Sequence, residues 1–394
     1  MTNKNYYLNK NFSYFILLII IFLPKIDLMA LPGLWQGIRI EDCLILMFSF
    51  YIFFSKKIFF PKNYIKKFQY KAYYYFFIYL FFSNLVGIVS GIEIKYIMLI
   101  RLIEYIIYLI LIDRLNIARN DFLKLMKIFL IINVIIVILQ ANDLIGSLSS
   151  LGYKPPSHEI NQRAVGLLGG SWELSIFSTI CYFFIFENEK NKINVIFYFF
   201  ITAFLVVMAE SKTQTMAFVL LNFILLYRSK NFLFLVILLV MVLSSIIFID
   251  ANIFTKLRNI NITYILDLTY QTFVEDNLPL KDEVDEPYLY LSYWYRLNFW
   301  KSLYDEYLTN IATIIFGTGF SSIYTESFII RILFSSGIFG TLYLFYLLRN
   351  TRLIYLLFFG FAGLTLDLFI SLKIFLITLL IVKNNFDEKN TISN

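Results

Sequence analysis

The chain has 394 residues, of which 59% are hydrophobic and only 15% charged, with a mean hydropathy of +0.72. Soluble domains are roughly half apolar and about a quarter charged, so this composition excludes an ordinary soluble fold and suits a chain dissolved in lipid. The formal net charge of +7 would suit nucleic acid, but the basic residues fall where membrane topology wants them, and no nucleic-acid partner is expected.

Lys4 and Lys10 precede an apolar run that begins at Phe12. No small-x-small cleavage site closes that run, so it reads as a retained first membrane helix. A membrane helix needs roughly 20 mostly apolar residues. By that measure the runs at 12–32, 41–59, 72–91, 96–113, 122–141, 166–186, 192–209, 213–227, 232–250, 325–348, 353–367 and 369–383 are candidate spans. The expected fold is all-α: a polytopic integral membrane protein of about twelve transmembrane helices, with residues 1–394 forming a single membrane domain.

The basic residues orient the map. Lys56, Lys57, Lys62, Lys66, Lys67, Lys71, Arg114, Arg119, Lys190, Lys192, Arg228, Lys230, Arg349 and Arg352 fall in alternate loops. The opposite short loops hold only Arg39, Lys95, Lys154, Arg163 and Lys212. Basic residues gather on the cytoplasmic side, which predicts that both termini are cytoplasmic.

One outer connection, residues 251–324, is far longer than the rest. Its middle, VEDNLPLKDEVDEP, is acidic and reads as a solvated surface. The following segment, SYWYRLNFWKSLYDEYLTNI, repeats Leu297, Trp300, Tyr304, Tyr307 and Ile311 at helical spacing. It predicts an amphipathic helix on the membrane face, with Ser292 as a candidate cap. FGTGF at 316–320 lacks the third glycine of a nucleotide loop and reads as a flexible turn.

Cys43 and Cys181 stand alone in apolar runs and read as packing residues. His158 is the single histidine, with no Cys or His beside it, so the sequence offers no histidine metal site and no cofactor motif. Ionisable residues at membrane depth are the functional candidates. Arg101 and Glu104 share a helix face and read as a pair. Lys25 and Asp27 follow Pro24 and read as snorkelling residues. Asp367 and Lys373 read as structural.

The outer arginines are Arg39, Arg163, Arg258, Arg296 and Arg331. Arginine stays charged and forks onto phosphate, so each is either a surface residue or a grip for an anionic headgroup. Glu173 and Glu326 are carboxylates in apolar surroundings, the setting of a general base. Glu173 reads equally as a helix-end carboxylate bonded to the backbone at 169–171. Trp172, Trp294 and Trp300 suit sugar stacking or, better, an interfacial belt.

Four stretches carry a family resemblance: GIRIEDCLIL at 37–46, RAVGLLGGSWELSIF at 163–177, AESKTQTMAFVL at 209–220, and residues 296–340. Together they resemble the O-antigen polymerases of lipid-linked polysaccharide assembly, and more distantly the O-antigen ligases. The last stretch carries an arginine, a tryptophan, a G-x-G, then a polar residue eleven positions before a glycine. Lys212 stands where the family has the arginine of an S-R-T turn, and Ser171-Trp172 where it has Pro-Asn. Glu326-Ser327 stands where the ligases have His-Asn, eleven residues before Gly337.

The resemblance implies a metal-independent, membrane-embedded glycosyltransferase in the bacterial plasma (inner) membrane. It would join oligosaccharide repeat units carried on undecaprenyl diphosphate, with membrane lipid and a chain-length regulator protein as further partners. Ligase or capsule-type polymerase activity is the alternative within the class. A lipid-linked oligosaccharide flippase is the alternative outside it. Arg163 and Arg296 would stabilise pyrophosphate, and Glu326 would be the base. Glu173, Arg331, Arg39 and Lys212 would line the substrate site.

Overall fold

A computed structural model describes residues 8–29, 38–54, 70–94, 96–146, 148, 164–229, 261–284, 287–320, 327–349, 351, 353–365 and 371–382. Helix dominates these residues, and strand is confined to one short ribbon. The candidate span at 232–250 lies outside them, as do Arg163, Arg258, His158, Glu326 and Asp367. The side chain of Arg101 lies outside them too.

α1 (Lys10–Phe22) is capped by Asn9, whose side chain accepts from Asn11 N at 3.0 Å. It stops well short of residue 32 because Pro24 forces Leu23 into extended backbone. The chain then forms β1 (Asp27–Met29), which pairs antiparallel with β2 (Ile38–Arg39), Asp27 opposite Arg39. β2 leads directly into α2 (Ile40–Phe54). There follow α3 (Lys71–Val89), α4 (Tyr96–Arg114), α5 (Arg119–Ala141), α6 (Ser171–Asn188), α7 (Lys192–Met208) and α8 (Lys212–Ser229). α9 (Ile262–Phe273), α10 (Pro287–Tyr307) and α11 (Ile311–Phe316) lie within the long connection, and α12 (Phe328–Leu348), α13 (Leu353–Thr365) and α14 (Leu372–Val382) follow it.

By length and composition, α3, α5 and α12 are long and apolar enough to cross a membrane. Shorter apolar segments lie at Lys10–Phe22, Lys192–Met208, Thr213–Leu225 and Leu353–Gly363. Exposed Phe50, Phe54, Leu85, Val89, Leu342 and Phe345 cover the outside of the bundle. An apolar exterior of this kind suits lipid rather than water.

α6 is the centre. Every residue from Glu173 to Ile185 is buried, as expected of a helix that is apolar on all sides. It packs on α5, α7, α8 and α14. Phe129 of α5 meets Phe177 with ring centroids 4.4 Å apart, and Tyr182 meets Phe218 of α8 at 5.9 Å.

The long connection differs from the sequence expectation in one place. α10 starts at Pro287, where proline's fixed φ suits the first helical position, so Ser292 lies inside the helix rather than at its start. Tyr290, Leu297, Leu303 and Tyr307 form the buried stripe, while Ile311 is exposed and belongs to α11. Residues 274–283 of the acidic stretch are largely solvated as expected, yet they are tied to α10. Trp294 Nε1 donates to Pro279 O at 2.8 Å, and Lys301 pairs with Asp276 at 2.7 Å and Asp305 at 2.5 Å. The Asp276 and Asp305 carboxylates hold the Lys301 ammonium above its ordinary pKa. Trp294 is therefore a strut within the loop.

Candidate functional site: a buried charge cluster and a glycine-locked turn

Six ionisable side chains converge where α1 ends and α2, α6 and α14 begin. Lys25, Arg39, Glu41, Asp42, Glu173 and Lys373 are each at most 7% exposed. Lys25 Nζ pairs with Glu173 Oε1, and Gly169 N donates to Glu173 Oε2 at 3.0 Å. Arg39 Nη1 lies 3.5 Å from Glu41 Oε1, and Lys373 Nζ lies 3.8 Å from Glu41 Oε2. Lys373 also donates to Leu23 O, and Asp42 accepts from Arg39 N at 3.2 Å. Arg39 and Lys373 are within electrostatic reach of Glu173. Three cations balance three anions, which is how charges survive burial.

Lys25 does not snorkel to water, as its place after Pro24 suggests it should. It turns inward, because Glu173 offers a partner at the start of α6. Gly169 makes the room: a Cβ there would lie 2.4 Å from Lys25 Cδ. The expected backbone bond of Glu173 is present at Gly169, but its other oxygen is taken by Lys25. The same lysine and Lys373 join the substrate-site candidates Arg39 and Glu173 into one cluster.

The stretch ahead of α6 is held by two polar residues of α5 that the sequence reading passed over. Gln140 Oε1 accepts from Gly166 N at 2.9 Å and Val165 N at 3.2 Å; Asn133 Oδ1 accepts from Leu167 N at 2.9 Å. Both lie on one face of an apolar helix, seven residues apart, and that spacing was the available signal.

A second group surrounds the G-x-G at 317–319. The sequence reads FGTGF as a flexible turn; the structure shows it pinned on both sides. Thr318 N donates to Phe334 O at 2.9 Å and Gly319 N to Ser335 O at 3.0 Å. These carbonyls are free because α12 breaks at Gly337, which has φ +62° and ψ −169°. Tyr79 Oη donates to Ser336 O at 2.9 Å and Phe316 O at 3.1 Å, and Ser83 Oγ donates to Phe316 O at 2.6 Å. Asn84 Oδ1 accepts from Phe320 N at 2.8 Å. Backbone opened among tightly packed apolar helices must find such partners.

Glycine is required here by both conformation and space. Gly317 and Gly319 have φ of +92° and +70°; a Cβ would lie 2.2 Å from Ser335 O at the first and 2.5 Å from Asn84 Cα at the second. Gly319→Ala should therefore cost roughly 2–4 kcal/mol, combining left-handed backbone strain with overpacking. Gly360 has open space around it, so Gly360→Ala should be neutral or mildly stabilising. Thermal unfolding of both variants in detergent checks this; equal midpoints would refute the locked turn.

Arg331, buried in the first turn of α12, sets its guanidinium 5.1 Å from the centroid of Phe320. Its helix is capped by Ser327, whose Oγ also donates to Gly363 O at 3.1 Å. Arg296 lies on α10, which packs against α12. Lys212 opens α8, and its side chain lies outside the described residues. The charge cluster thus gathers Arg39 and Glu173, while Arg331 belongs with the pinned turn.

This architecture defines a helical protein with membrane-length apolar helices and a neutralised buried charge cluster at one end. No family model, no curated protein and no solved structure matches the chain.

Proposed function

We propose that the chain is a polytopic plasma-membrane glycosyltransferase of about twelve spans, with both termini cytoplasmic, that joins oligosaccharide units carried on a polyprenyl diphosphate. It resembles the O-antigen polymerases in motif order. The observation that carries the reading is the joining of Arg39 and Glu173, from two of those motif stretches, in one buried cluster. That cluster lies at the bundle end that the basic-residue asymmetry assigns to the outer face. The rigid turn beside Arg331 belongs to a third motif stretch.

The chemistry follows from the leaving group. As the donor sugar C1–O bond breaks, negative charge grows on the diphosphate, and fixed arginines lower the barrier by meeting it. Arg163 and Arg296 take that role, with Arg331 as a third. The acceptor hydroxyl attacks C1 and gives its proton to Glu326. Glu173, held on both oxygens by Lys25 and Gly169, organises the floor of the site. Arg39 and Lys212 line it.

Deleting the protein from its cell tests the function. The surface polysaccharide should collapse to single repeat units joined to lipid A, the final acceptor. Absence of any attached unit would instead indicate a ligase or a transporter. Topology is tested by single cysteines labelled from outside. Positions 275–286 should react and positions 62–67 should not; the reverse pattern would overturn the orientation.

A further inference from the structure

α3 and α12, both long and apolar enough to cross a membrane, meet at a shared end. The first turn of α3 lies beside the last turns of α12, where Tyr343 Oη donates to Ala72 O at 3.0 Å. Between them opens a groove of about 590 Å³, lined by Lys71, Ala72, Tyr75, Tyr343 and Tyr346. Each helix contributes a cation set against a tyrosine. Lys71 Nζ lies 5.7 Å from the Tyr75 ring centroid, and the exposed Arg349 guanidinium lies 3.9 Å from that of Tyr346. No carboxylate is among the lining residues described.

Scattered tyrosines and basic residues mark the ends of many membrane helices. This arrangement is more specific in two respects. The walls are fixed, because Tyr343 is bonded to the α3 backbone and stacks on Tyr346 at 6.2 Å with rings 10° apart. An exposed apolar track also leads from the groove along both helices, through Ile78 and Phe82 on α3 and Leu342 and Phe339 on α12. Phe316 bridges the far end of that track, 5.4 Å from Phe82 and 5.7 Å from Phe339. A polar cationic mouth continuous with an apolar track has the shape of a phospholipid.

We propose that this groove binds an anionic phospholipid, its headgroup phosphate between Lys71 and Arg349 and its acyl chain along the α3–α12 track. The tyrosine faces hold the two cations in place, and their hydroxyls suit the glycerol and ester level. The site requires membrane embedding of α3 and α12 but not glycosyl transfer, so it can fail or stand independently of the proposed activity.

The test is native mass spectrometry of the full chain in an uncharged maltoside detergent. Phosphatidylglycerol and phosphatidylcholine of identical acyl chains are titrated side by side. Each basic residue near anionic lipid contributes enough for a preference of roughly 10- to 30-fold for phosphatidylglycerol from the pair. Lys71→Gln with Arg349→Gln should bring that preference close to parity while the protein still elutes as a single species. Lys281→Gln, a change at an exposed lysine of the long connection, should leave it intact. Equal retention of the two lipids by the unaltered chain would overturn the proposal. So would an undiminished preference in the double variant, or displacement of the lipid by millimolar inorganic phosphate.

Discussion

Lys25→Met should destabilise the protein by about 3–5 kcal/mol, and adding Glu173→Gln should recover most of that loss. The single change leaves Glu173, 1% exposed, with a buried charge and without its direct ion-pair partner, while Arg39 and Lys373 act on it only at longer range. Removing one partner of a buried pair costs far more than the pair contributes, because the remaining charge is stranded away from water. Methionine fills the lysine stem's volume beside Gly169, so a cavity contributes little. In the double variant the amide oxygen introduced at position 173 can still accept from Gly169 N, and no charge is left uncompensated. Unfolding in mixed micelles, followed by helical circular dichroism, measures both. A single variant as stable as the original would mean that Glu173 is not held as described. A double variant as unstable as the single would mean that the lysine acts through packing alone.

Arg296→Lys should reduce glycosyl transfer by about 10²–10³-fold, the usual cost of losing one preorganised donor to a developing anion. Lysine keeps the positive charge but cannot make the planar two-point contact that guanidinium makes with phosphate. Arg163→Lys should behave alike, since both arginines are assigned to the same diphosphate. Protein level and membrane insertion should be unchanged in both. Normal long-chain product from either variant would remove that residue from the diphosphate site.

The helices were largely legible because long apolar runs bounded by charged or turn residues leave few alternatives to helix. α3, α5 and α12 follow their predicted runs closely. The ends were less legible. α1 stops ten residues early because Pro24 breaks it, and the β1–β2 ribbon is too short to show alternation. The start of α10 was signalled by Pro287 rather than by Ser292.

Arg39 and Glu173 stood out as charges in apolar sequence, but their company did not. Lys25 and Lys373 come from opposite ends of the chain, and only the packing of α14 against α6 and of α1 against α2 assembles them. Pairwise burial of charge is a tertiary event that no local pattern announces. The Gly317–Gly319 turn was visible as a motif, while its lock was hidden in Tyr79, Ser83 and Asn84 of an otherwise apolar helix. Polar residues at spacings of four and five on such a helix are a readable signal for a backbone partner.

Glycosyl transfer itself is tested most directly by incubating the purified protein in detergent with polyprenyl-diphosphate-linked repeat units and separating the products by size. A micelle offers no second compartment, so a transporter acting on the same lipid can yield no joined product. The expected result is a ladder spaced by one repeat unit, formed about 10²–10⁴-fold more slowly by Glu326→Gln, whose amide cannot take the acceptor's proton. Bound substrate recovered unjoined from the unaltered protein would contradict the assignment of this chain as a polymerase.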